Sequence, residues 1–416
     1  MGSKGTFALV LLGALMAYYV YLPLPEDIEQ RWKLMLTDCA FRSLSHLADI
    51  CESLGLKDYM GVMMLVTFAE RVVPQSDERV RVEDERFDGV EVVVYQPRRD
   101  VCAGERRRAV IYLHGGGWCL GSTRMGPYDS LAREMVTELN AVVVSVEYRL
   151  APAHRFPVPF EDAYRAAKYF LSADVLGSYD VDPERVAVSG DSAGGNLAAV
   201  VVQQVGVKPV LCTLSLDVEQ RIKPKAQALI YPVLQALDLN TPSYRQNRHM
   251  PILPRTLMVR FWSEYLSSDK SVLLSMLANA HNGPDSAPFL RFANWSVFLH
   301  ESHRRTYDYV APPVNEGELP GALARSVTDP RASPLLVPDA ALRPLPKAYV
   351  LTCEYDVLRD DGMMYVERLR LAGVHVTHQH YPAGFHGALM FTVWPTDFRI
   401  ARQMVNDYLL WLKQNL

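Results

Sequence analysis

At 416 residues and 49% hydrophobic composition, the chain is long enough to bury a large core. Its net charge of −4 gives no electrostatic case for nucleic acid, and the one basic run, Arg106-Arg107-Arg108, reads as a solvated loop before an apolar strand. Six cysteines without Cys-x-x-Cys or Cys/His spacing are too sparse for a disulfide scaffold and indicate no metal site.

Residues 6–22, TFALVLLGALMAYYVYL, form an uncharged apolar run. As a helix this run is about 26 Å long at ~1.5 Å per residue. That length approaches the ~27 Å hydrocarbon thickness of the endoplasmic reticulum bilayer. Lys4 precedes the run, while Glu26, Asp27 and Glu29 follow it, so the N-terminus is expected in the cytosol and the body in the lumen. No small-x-small cleavage site precedes Tyr18 and Tyr19, which favours a retained anchor over a cleaved signal peptide. Residues 1–25 are therefore expected to be a signal anchor whose partner is the membrane. Asn294-Trp295-Ser296 is an N-glycosylation acceptor, usable in a lumenal body.

Residues 26–75 predict amphipathic helix, with Trp32, Leu36, Phe41 and Leu44 at helical spacing. The period changes after Arg79: Val80 and Val82 alternate with polar residues, and Asp88-Gly89 marks a hairpin into 90–95. Short apolar strands follow at 109–113, 141–147, 185–190, 226–231, 347–352 and 374–380. Helical patterns lie between and after them at 127–139, 159–173, 193–205, 358–372 and 396–414. Such alternation predicts a mostly parallel central sheet with helices on both faces. The core is assigned to 76–232 and 331–416. Residues 233–330 break the rhythm and are too long for a structureless loop; together with 26–75 they are expected to cap the site. Within them Phe261, Trp262 and Tyr265 are candidates for a hydrophobic entrance, with core packing the default role for each.

The chemistry concentrates at strand ends. Gly190-Asp191-Ser192-Ala193-Gly194 follows one strand and opens a helix, the setting of a nucleophile elbow with Ser192 at its apex. Gly190 and Gly194 suit the close passage of strand and helix. His114-Gly115-Gly116-Gly117 follows an earlier strand. The amides of Gly115 and Gly116, with that of Ala193, are candidate oxyanion donors, and His114 is expected to hold the loop. Asp356, after the next-to-last strand, and His386, after the last, supply acid and base in the order Ser, Asp, His. Asp360, Asp361 and Glu354 compete for the acid role. His375, His378 and His380 lie along the last strand, facing solvent or core. Acyl transfer through these groups needs no metal or cofactor.

HGGGW at 114–118, Tyr148-Arg149-Leu150-Ala151-Pro152 and GDSAGGN at 190–196 resemble the hormone-sensitive-lipase branch of the α/β-hydrolase fold. AYYVYLPLP at 17–25, RFWSEY at 260–265, YDVLRDDG at 355–362 and GFHG at 384–387 resemble the arylacetamide deacetylase and neutral cholesterol ester hydrolase family over nearly the whole chain. IYPVLQALD at 230–238, PILP at 251–254 and LTCEYDVLRDDG at 351–362 look closest to its cholesterol ester hydrolase branch. The resemblance implies a single-pass type II protein of the endoplasmic reticulum, glycosylated at Asn294, with a Ser192, Asp356, His386 triad. It implies cholesteryl esters and acetylated alkylglycerol ethers as substrates, or aryl esters and amides on the deacetylase pattern. Cys119 after HGGGW follows the deacetylase pattern. It flanks a catalytic loop as Cys353 does, and a bridge between the two is a hypothesis. A non-catalytic lipid-binding or adhesion protein on the same fold is the alternative of another class.

Overall fold

The computed structural model describes residues 3–98, 105–206, 222–267, 269–304, 307–315 and 321–416. Eight strands form one sheet: β1 (Val80–Phe87), β2 (Val90–Pro97), β3 (Arg107–Leu113), β4 (Ala141–Val146), β5 (Val181–Asp191), β6 (Ala226–Ile230), β7 (Lys347–Tyr355) and β8 (Val376–Phe385). Their order is β1-β2-β4-β3-β5-β6-β7-β8, antiparallel from β1 to β4 and parallel from β4 to β8. The hairpin turns at Asp88 (φ 48°) and Gly89 (φ 80°), the left-handed pair that matches strand twist.

The parallel strands are apolar on both sides because helices cover both faces. Ala109, Ile111 and Leu113 of β3 pack into one core layer, whereas Val110 and Tyr112 pack into the other. This two-residue alternation also decides the proposed disulfide. Cys119 is buried in the first layer and Cys353 in the second, on opposite faces of the sheet, and both are free thiols. The expected Cys119–Cys353 bridge is therefore corrected: no rotation of either side chain carries sulfur through the sheet.

Ahead of the sheet lie α1 (Ser3–Val20), α2 (Arg31–Ser53), α3 (Tyr59–Met63) and α4 (Leu65–Ala69). Among the described residues no helix is long and apolar enough to cross a membrane. Helix α1 nevertheless leaves Phe7, Leu9, Val10, Leu12 and Leu15 exposed around its circumference. It ends against α2, where the Tyr19 hydroxyl meets His46 Nδ1 at 3.0 Å and Arg42 lies over the Tyr19 ring. Residues 233–330 hold helices at Pro242–Gln246, Arg255–Leu266 and Ser271–Leu277 and a 3₁₀ segment at Pro284–Phe292. Phe41, Met63 and Val66 from one segment and Ile252, Leu257 and Phe261 from the other close over the ends of the parallel strands.

Candidate active site

The turn between β5 and the helix Ala193–Gly206 places Ser192 at φ 55°, a left-handed conformation that costs energy for a residue with a side chain. The Ser192 amide donates to the Ile230 carbonyl at 2.9 Å, which ties the turn to β6. Strand and helix pass so closely that a Cβ on Gly194 would lie 2.0 Å from the Leu113 carbonyl oxygen. Gly194→Ala is therefore expected to destabilise the fold by roughly 3 kcal/mol, the upper range for overpacking a close contact. The measurement is urea denaturation; an unchanged midpoint would contradict the close approach.

His386 follows β8 and reaches back to the turn. Its Nε2 lies 3.0 Å from Ser192 Oγ, and its Nδ1 lies 2.8 Å from Asp356 Oδ2. The other Asp356 oxygen accepts the Leu358 amide at 2.8 Å, and Asn247 Nδ2 bonds the Asp356 carbonyl at 2.9 Å. All three side chains are buried, and the Tyr231 ring packs 4.8 Å from the His386 ring. The chain thus brings together a hydroxyl, an imidazole and a carboxylate separated by 164 and 30 positions (356 − 192 and 386 − 356). Hydrogen bonds on both ring nitrogens orient the imidazole between the other two groups.

The rival carboxylates point elsewhere. Asp360 accepts the Ser243 amide at 2.6 Å and pairs with the buried Arg359. Asp361 accepts the Leu234 amide at 3.0 Å and Gln235 Nε2 at 2.9 Å, and burial pushes its carboxyl up to about 7. Glu354 pairs with Arg359 at 2.8 Å and with His380 at 3.3 Å. His378 Nε2 and His380 Nδ1 both meet Thr352 Oγ1, at 2.8 and 2.9 Å, so neither ring faces Ser192. His303, Glu354 and His380 form the only group of potential metal ligands among the described residues, with ligand atoms within 4.8 Å of one another. The Arg359 guanidinium already neutralises its carboxylate there.

The glycine loop needs a correction. The Gly115 amide donates to Asp191 Oδ1 at 3.0 Å and to the Tyr128 hydroxyl at 2.9 Å, so it is not free for an oxyanion. Asp191 also accepts hydroxyl bonds from Tyr112 (3.0 Å) and Tyr128 (3.2 Å), while burial pushes its carboxyl up to about 6. Asp191 is thus the bolt between elbow and loop. Gly116 and Gly117 line the chamber with Ser192, and among the described bonds none takes their amides or that of Ala193. Gly117 (φ 61°) has no room for a side chain, since a Cβ would sit 2.3 Å from the Phe261 ring. His114 is buried with Nδ1 on the Gly115 carbonyl at 2.8 Å and its ring stacked on Tyr148, and burial lowers its pKa. Tyr148 donates to the His114 carbonyl at 2.7 Å. The reading of residues along the chain missed Tyr112, Tyr128 and Asn247. Lone tyrosines and asparagines carry no motif, and only the Tyr148 run lay within a recognisable segment. Of the three aromatic candidates, Phe261 reaches the chamber, whereas Trp262 and Tyr265 pack with Trp118 at ring distances of 4.6 and 4.2 Å.

A family model described as alpha/beta hydrolase fold matches residues 110–304 and 318–390. Arylacetamide deacetylase of Oryctolagus cuniculus is 48% identical over 415 residues, covering 99% of both chains. Neutral cholesterol ester hydrolase 1 of Rattus norvegicus is 45% identical over 415 residues, covering 98% of both. Among solved structures, an esterase from Pyrobaculum calidifontis superposes with a TM-score of 0.58 at 30% identity, covering 85% of this chain and 89% of that one.

Proposed function

Because the chain belongs to the α/β-hydrolase fold family, and within it to the group of arylacetamide deacetylase and neutral cholesterol ester hydrolase, we propose that Ser192, His386 and Asp356 are its catalytic triad. The chain is a carboxylic ester hydrolase. The observation that supports the residue roles is the continuous hydrogen-bond path from Ser192 Oγ through His386 to Asp356, at 3.0 and 2.8 Å. His386 Nε2 takes the Ser192 proton as Oγ attacks the ester carbonyl, and Asp356 stabilises the imidazolium that forms. The amides of Gly116 and Ala193, joined by Gly117, receive the oxyanion. Each such donor is typically worth about 3 kcal/mol in the transition state. His386 then protonates the departing alcohol, and water, deprotonated by the same nitrogen, cleaves the acyl-serine.

The substrates are lipid esters, namely cholesteryl esters and acetylated alkylglycerol ethers. Support comes from the relatives named for cholesterol esters and from an apolar chamber lined by Phe41, Val66, Leu257 and Phe391. A second reading, arylacetamide and xenobiotic ester deacetylation, is favoured by the 48% identity to a deacetylase and by Cys119. Parallel assays with cholesteryl oleate, an acetylated alkylglycerol and an acetanilide separate the two. Turnover of the acetanilide alone would overturn the lipid reading.

The protein is held at the endoplasmic reticulum membrane by the apolar run at residues 6–22 as a type II anchor, with its body in the lumen and a glycan on Asn294. A helix exposing apolar side chains on all sides is stable in lipid rather than water, and Asn294 is partly exposed at the start of the helix Trp295–Phe298. Loss of a glycosidase-sensitive mobility shift in Asn294→Gln, with the wild-type shift present, is the expected topology result.

A further inference from the structure

The chamber around Ser192 has a volume of about 160 Å³. Sites that enclose a drug-sized ligand have roughly 300–1,000 Å³. A long-chain ester with its carbonyl at Ser192 therefore has to extend into a neighbouring space. Two cavities adjoin the chamber, and α2 stands between them. One, of about 560 Å³, shares Phe41, Met63, Ile252 and Leu257 with the chamber and is lined by Asp38, Arg42, Asp49 and Arg260. The other, of about 800 Å³, shares Phe41, Val66, Glu70 and Phe391 with it; besides an apolar row from α2 and α4 it holds the ion pair Lys33–Asp397.

The division is written in the period of α2. Trp32, Leu36, Ala40 and Leu44 recur every fourth residue, so they form one row along the helix, and all four line the second cavity. Asp38, Arg42 and Asp49 lie on another edge and line the first. Leu65 and Ala69 of α4 form the opposite wall of the cleft, and Trp394 also lines it. Trp32, Leu36, Leu65 and Trp394 remain 62%, 52%, 49% and 84% exposed. A patch of that kind marks a surface that meets an apolar partner. Hydrocarbon in the first cavity would strip hydration from Asp38, Arg42, Asp49 and Arg260, whereas the second sets against it Glu70 and the Lys33–Asp397 pair at 3.1 Å.

We propose that the cleft between α2, α4 and residues 391–397 is the subsite for the long hydrocarbon chain of a lipid ester. This assignment rests on Ser192 as the nucleophile. Phe41 lines all three spaces and separates the two paths at their junction. Glu70, the acidic group at the apolar junction, has its carboxyl held above the usual range by burial.

The test uses the full chain in detergent micelles, with Ala40→Trp and Ala69→Trp filling the cleft from opposite walls. One substrate series lengthens the acyl group, from nitrophenyl acetate to nitrophenyl palmitate. The other lengthens the alcohol, from hexyl acetate to hexadecyl acetate. The expected result is unchanged turnover of the short esters, with kcat/KM for the long members of one series reduced about tenfold or more, the loss of about two buried methylenes. The series that responds identifies the chain as acyl or alkoxy. Unchanged long-chain activity in both series, or an equal fall for short and long members, would overturn the subsite. Fluorophosphonate labelling of each variant verifies the folded site, and if one variant fails to label, the other decides. Failure of the nucleophile assignment reads differently: wild type would then neither label nor hydrolyse the acetates.

Discussion

Ser192→Ala is expected to lower kcat for nitrophenyl acetate by roughly 10⁶, leaving the fold and substrate affinity close to wild type. Loss of the nucleophile from a triad removes nearly everything the three residues achieve together, because imidazole and carboxylate act only through it. Residual catalysis of about 10³–10⁴ over water is expected to persist, since the loop and elbow amides still face the carbonyl oxygen. The change deletes one oxygen from a buried position whose backbone is held by the bond from Ser192 to Ile230. Circular dichroism and denaturation midpoint are therefore expected to stay near wild type while fluorophosphonate labelling disappears. Labelling that survives the substitution would place the nucleophile elsewhere.

Asp356→Asn is expected to reduce kcat by about 10⁴ with little change in KM. The carboxylate accepts a bond from His386 Nδ1 at 2.8 Å, which keeps the proton on that nitrogen and leaves Nε2 to accept from Ser192. An asparagine amide in the same place can donate to Nδ1, and this stabilises the tautomer whose Nε2 carries the hydrogen. That ring cannot take the serine proton. The pH–rate profile is the discriminating readout, because a merely structural role would not displace it. Asp360→Asn and Asp361→Asn are the contrast: their partners are Arg359 and the Ser243 and Leu234 amides, so their effect is expected on stability. A loss of 10⁴ in Asp361→Asn with Asp356→Asn active would reverse the assignment.

The apolar cleft adds a reason why an esterase of this family carries so much exposed hydrophobic surface beside its site. The four-residue row on α2 is a sequence feature whose usual reading is core contact. Trp32 and Leu36 stay more than half exposed because nothing among the described residues packs over them. The end of α1 is tied to α2 by Tyr19, His46 and Arg42, so the proposed anchor and that face move together.

Local sterics determined by the sequence alone include the elbow, the glycine loop, the hairpin at Asp88-Gly89 and the alternation of strand and helix. Each depends on neighbours within a few positions, where backbone conformation and periodicity are legible in residue type. The chain order put Asp356 first among the candidate acids, but only tertiary structure brought its carboxylate, and not its neighbours', to His386. Asp356, Asp360 and Asp361 lie within six consecutive residues, and their directions depend on partners more than a hundred positions away, such as Asn247, Ser243 and Leu234. It decided that the Gly115 amide belongs to Asp191, 76 positions on, and that Cys119 and Cys353 lie on opposite faces of the sheet. Hydrogen bonds and contacts between distant segments leave no period in the chain, so only packing can assign them.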